Sequence, residues 1–149
     1  MTKELIGHWQ EFLSSHDTPF DVSDRKFVTI KFRNDEVSYK ALINEEESFF
    51  ILKSAVGFPV NKSYYCLDKD LFVARLNGVV SIGQFSWKRH KRTNDKILVY
   101  KTSQYLIRKQ DHREFISKHF DQHRRLLENL RLIVENGKEM NLSVEFEGL

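Results

Sequence analysis

The stretch WKRHKRTNDK, residues 87–96, gathers the side chains best suited to chemistry in this 149-residue chain. Lys88, Arg89, Lys91 and Arg92 are cations within reach of one another along the chain, and Trp87 precedes them. Cations neutralise phosphates and an indole stacks on a base, so the cluster has the residue types of a nucleic-acid contact. The plainer account is a hairpin tip, where charge keeps a turn solvated and discourages the strand ends from pairing with neighbours. A solvated tip available to an anion or a protein partner is the reading adopted. Trp87 is expected to face the sheet interior together with Phe85, two residues away on the same face.

Other reactive side chains form no comparable group. His119 and His123 stand four apart, the spacing that lets two imidazoles on one helix share a metal. The residues between them are Phe–Asp–Gln, so the glutamate of a zincin motif is missing, and core packing or partial exposure is the expected role. Cys66 is the single cysteine and cannot close an internal disulfide; a buried, inert thiol is expected. There is no G-x-S-x-G elbow, and the six glycines form no phosphate-binding loop. Carboxylates such as Glu46 and Glu47 sit in a turn, where water keeps them ordinary. No catalytic residue, cofactor or metal is expected, and the chain reads as a non-enzyme.

Charge is segregated along the chain. Residues 86–109 carry eight basic side chains against Asp95 alone, which more than accounts for the net charge of +3. An excess of this kind steers an anionic partner, although the pI near 8.9 falls short of the usual nucleic-acid-binding range. The acidic turn Glu45–Glu46–Glu47 lies on another hairpin, where it could meet the basic one across a homodimer. An apolar content of 40% with 12 phenylalanines supplies a core without disulfides or a structural metal. The most apolar run, residues 49–60, is too short to cross a bilayer, and residues 1–13 lack the pattern of a secretory signal. A cytoplasmic protein without a membrane partner is expected.

These residues must be positioned by a mixed set of elements. Leu5, Ile6, Trp9, Phe12 and Leu13 make one stripe of a helix over residues 3–14. Strands follow at 27–33, where Val28, Ile30 and Phe32 share a face, and at 37–43. A third, at 48–56, is so continuously apolar that both faces should be covered. A second helix is expected from Lys62 to Leu76, with Asn61 as its N-cap and Asn77–Gly78 as its stop. Strands at 82–88 and 97–106 flank the basic turn. A long helix opens at Asp111–His112–Arg113–Glu114 in the manner of a capping box. Its stripe is Ile116, Phe120, His123, Leu127, Leu130 and Val134, with Leu126 and Ile133 beside it, and Asn136–Gly137 closes it. The alternating tail from Met140 to Phe146 could add an edge strand, in this chain or in a neighbour.

The order is α-βββ-α-ββ-α, an α+β fold with an antiparallel sheet packed against helices. The passage from Leu71 to Ile107 resembles the middle of the YbjN family, small bacterial domains labelled as sensory-transduction regulators. The resemblance rests on Leu76–Asn77, on Ile82–Gly83–Gln84–Phe85, and on the strand, polar turn, strand and long helix that follow. It implies one domain over residues 1–137, a tail over 138–149, and a fold similar to that of the dimeric type III secretion chaperones. It further implies a chaperone-like or regulatory protein-binding module that takes a protein partner or client and assembles as a homodimer in a bacterial cytoplasm. Binding of nucleic acid through residues 87–92 is the alternative.

Overall fold

The apolar stripe Leu5, Ile6, Trp9 and Leu13 is buried on α1 (Glu4–Ser15), as its helical spacing requires. The computed structural model describes residues 4–24, 28–34, 37–58, 73–74, 77–78, 82–89, 91–92 and 96–135. After α1 come β1 (Phe20–Asp24), β2 (Val28–Asn34), β3 (Val37–Asn44), β4 (Phe49–Phe58), β5 (Gln84–Arg89) and β6 (Lys96–Tyr105). A 3-10 turn at Lys109–Asp111 leads into α2 (His112–Glu135). The six strands form an antiparallel sheet in the order β1-β2-β3-β4-β6-β5, and the class is α+β as expected.

Contacts divide the chain into two compact units, residues 1–54 with 101–121 and residues 55–100 with 122–149. In the first, Ile30 and Phe32 of β2, Tyr39, Ala41 and Ile43 of β3, and Phe50 and Leu52 of β4 are buried with the α1 stripe. Ile116 and Phe120 of α2 complete this core. The Trp9 indole sits edge-on to Phe50 at 5.2 Å, and Phe120 lies against Phe12 at 5.4 Å. Such aromatic pairs add roughly 0.5–1.5 kcal/mol each beyond the area they bury. Trp9 Nε1 finds no acceptor among the described residues. In the second unit Phe85 lies 4.7 Å from the Tyr100 ring, and Tyr100 lies 4.5 Å from His123. Leu98, Val99, Leu126, Leu127 and Leu130 are buried there too.

The structure corrects several expectations. A strand precedes the meander: β1 pairs antiparallel with β2, Phe20 opposite Phe32 and Val22 opposite Ile30. The β4 run alternates, with Phe50, Leu52 and Ser54 buried and Phe49, Ile51, Lys53 and Ala55 half-buried, so its two faces are not equally covered. Asn77 and Gly78 are helical rather than a left-handed stop. Asp111 belongs to the 3-10 turn, and its carboxylate accepts two hydrogen bonds from the Arg108 guanidinium at 2.9 and 3.3 Å. The rest of the expected second helix, Cys66, the proposed Asn136–Gly137 stop and the tail 138–149 lie outside the described residues.

Candidate functional site

Of the five residues singled out in the basic stretch, Trp87, Lys88 and Arg89 end β5, and Lys91 and Arg92 stand in the turn beyond it. All four cations are exposed, whereas Trp87 is half-buried and Phe85 fully buried. The alternation anticipated for Phe85 and Trp87 is thus present, with Trp87 nearer the rim. The arrangement is a charged strand end reaching water, able to attract an anion without enclosing one.

What holds β5 in place is a side chain that spacing alone assigned to another task. The Asn77 carboxamide oxygen accepts the Phe85 N–H at 2.6 Å, and its NH2 donates to the Phe85 carbonyl at 3.0 Å. One amide therefore satisfies both backbone groups of a residue on the outermost strand, as a neighbouring strand would. Edge strands need such covers because their free backbone groups recruit other chains. The Tyr100 hydroxyl donates to the Ile82 carbonyl at 2.5 Å, fixing the approach to the same strand. Burial pushes the Tyr100 hydroxyl's pKa upward, partly offset by a hydrogen bond with Gln122, so it stays a donor.

The opposite edge is β1. Val22 in its centre is 45% exposed, while Phe20 is half-buried against the first core. Five residues long, β1 is terminal in the sheet order among the described residues.

The histidines resolve into internal roles. His119 is buried, with Nδ1 2.8 Å from the Thr102 hydroxyl and Nε2 3.1 Å from the Gln104 amide oxygen. Burial depresses its pKa to about 4, so the ring is neutral. His123 is fully buried against Tyr100. No group of three or more potential metal ligands occurs among the described residues. A second pair was not foreseen: His8 of α1 and His112, the first residue of α2, place their Nδ1 atoms 3.0 Å apart. Residues 104 apart in sequence give no local signal of such a meeting. Burial chiefly lowers the pKa of His112, the His8 ring adds to this, and Glu45 and Glu4 oppose it. Glu45 also accepts the Ile6 N–H at 2.5 Å, capping the first turn of α1 from the β3–β4 turn. One member of the acidic turn is therefore engaged inside its own unit; Glu46 and Glu47 are exposed.

No helix among the described residues is long and apolar enough to cross a membrane. In sequence, no family model and no curated protein matches the chain. In structure, the chain is similar to the crystal structure of YbjN from E. coli, described as a suspected transcription regulator. The match has a TM-score of 0.53 at 11% identity and covers 78% of this chain and 84% of that one. At that identity the likeness is one of fold, and this chain has a YbjN-like α+β fold.

Proposed function

We propose that the protein is a non-enzymatic, chaperone-like or regulatory protein-binding module of the cytoplasm, working as a homodimer that accepts an extended segment of a partner along a sheet edge. The observation that carries this reading is the asymmetry of the two edges. Asn77 occupies the backbone of β5 at Phe85, whereas β1 carries the half-exposed Val22 at its centre. Strand addition draws affinity from backbone hydrogen bonds and specificity from alternate side chains, and needs no catalytic group. The test is recovery of partners from cells with the parent chain and with Val22→Lys, a charge that natural edges use to repel added strands. The parent should retain a discrete protein and the variant should lose at least tenfold of it. Equal retention by both, or turnover of a metabolite by the parent, would overturn the reading.

Binding of nucleic acid by the β5 end is the second reading, favoured by the joint exposure of Lys88, Arg89, Lys91 and Arg92. The regulatory description of the E. coli neighbour agrees with either.

A further inference from the structure

The sheet face turned away from the first core holds a second concentration of positive charge. Strand alternation puts Lys31 and Arg33 of β2, Lys40 of β3, Lys53 of β4 and Lys101 of β6 on this face. Asp21 of β1 faces them, opposite Lys31, and the exposed Glu46 and Glu47 bound the far end of β3 and β4. Lys31 and Lys40 are direct cross-strand partners, an arrangement of like charges that weakens a sheet. Two further registers follow from the hairpin and from a ring contact. The turn Glu45–Ser48 leaves Asn44 and Phe49 level, which brings Lys53 beside Lys40. Phe49 meets the Tyr105 ring at 4.6 Å and the Leu106 N–H bonds the Ser48 carbonyl, which brings Lys101 beside Lys53. Lys31, Lys40, Lys53 and Lys101 thus form one transverse row over four adjacent strands, spanning about 14 Å at the usual strand spacing.

On the same face lie Phe49 and Tyr105, each four residues along its strand from Lys53 and Lys101 and so about 13 Å from the row. Tyr105 is 63% exposed. Lys31, Lys40 and Lys101 are exposed as well. A solvated sheet needs neither juxtaposed lysines nor a surface aromatic pair, and the two on one face have the chemistry of a phosphate track and, about two nucleotides along, a base-stacking platform.

We propose that this open face of β2, β3, β4 and β6 binds single-stranded nucleic acid, the lysine row running along the phosphates and Tyr105 with Phe49 stacking on a base. The site uses none of the β5-end cations and does not depend on strand addition at β1. An acidic peptide would answer the lysines equally but would make no use of the aromatic pair.

The test uses the full chain and a fluorescein-labelled oligouridylate of twelve nucleotides, followed by anisotropy between 25 and 200 mM NaCl. With three to four phosphates neutralised, log K should fall against log salt with a slope of about −2 to −3. Lys40→Gln with Lys101→Gln should weaken binding tenfold or more at low salt and halve the slope. Its thermal midpoint should hold or rise, because a repulsive row is relieved. Tyr105→Ala, a change at the surface, should weaken binding several-fold and leave the slope unchanged. Neutralising Lys88, Arg89, Lys91 and Arg92 should cost less than threefold. No binding at 25 mM NaCl would overturn the proposal. So would a greater loss from the β5-end variant than from the face variant, or tighter capture of oligoglutamate than of oligouridylate.

Discussion

At His119 the partners decide where the proton sits. The Gln104 amide oxygen can only accept, so Nε2 carries the hydrogen, and Nδ1 takes the Thr102 hydroxyl proton. A proton added to Nδ1 would charge a buried ring, which is why its pKa falls to about 4. The neutral form is the one the fold favours, so its contribution is complete above the ordinary histidine value near 6.5. It declines as pH drops from there toward 4, because the unfolded chain takes up the proton first. His112 acts in the same direction, since its pKa is also lowered, chiefly by burial and further by the His8 ring. The urea midpoint of the parent should therefore fall between pH 7 and pH 5.5, a range above ordinary carboxylate titration, by the equivalent of about 1 kcal/mol from His119, with His112 adding in the same direction. His119→Asn should be less stable at pH 7 and should lose the His119 share of this pH dependence, about 1 kcal/mol over that range. A variant as pH-sensitive as the parent would show that His119 does not take part.

Between elements, the features on which the proposed function rests were the least legible. The stripes Leu5–Ile6–Trp9–Leu13 and Ile116–Phe120–His123–Leu127 could be read because a helix writes its buried face into local spacing. Val28, Ile30 and Phe32 announced a strand by the same kind of local rule. β1 did not, because Phe-Asp-Val-Ser-Asp holds two aspartates and only two apolar residues, and its strand form depends on pairing with β2. Asn77 read as a helix stop because Asn–Gly pairs commonly are one, and nothing local reveals that its amide reaches Phe85. The lysine row was hidden more deeply, since it exists only once four strands are in register. The charge count drew attention to residues 86–109, but the face also takes Lys31, Lys40 and Lys53 from the net-acidic first half. The Asn77 clamp predicts its own test. Asn77→Ala removes two hydrogen bonds from an edge strand, and should lower stability by about 1–3 kcal/mol in a urea titration. It should also raise concentration-dependent self-association in light scattering, because the Phe85 backbone becomes available to a second chain. Asn77→Ala with parental stability and mass would mean that β5 needs no such cover.

For the molecule as a whole, the two units are interwoven along the chain, since their boundaries fall within β4, β6 and α2. Each has its own buried aromatic centre, Trp9 with Phe50 in one and Tyr100 with Phe85 in the other. Separate centres would permit separate melting if a flexible linker joined them. Here the joints are hydrogen-bonded elements, and the loss of one half of α2 removes the ladder that propagates the other. A single cooperative transition is therefore expected, as for most chains under about 150 residues. Amide resonances of Phe32 and Ile43 report the first unit, and those of Leu98 and Tyr100 the second. Followed through a urea titration by two-dimensional NMR, all four should disappear with one midpoint. Midpoints separated by more than about 0.5 M, at an m-value of 1–3 kcal/mol/M, would mean that the units fold independently. Under cooperative melting, the β1 edge and the lysine face in the first unit lose stability whenever the β5 clamp in the second is broken. Asn77→Ala should then lower the melting midpoint of Phe32 as much as that of Tyr100.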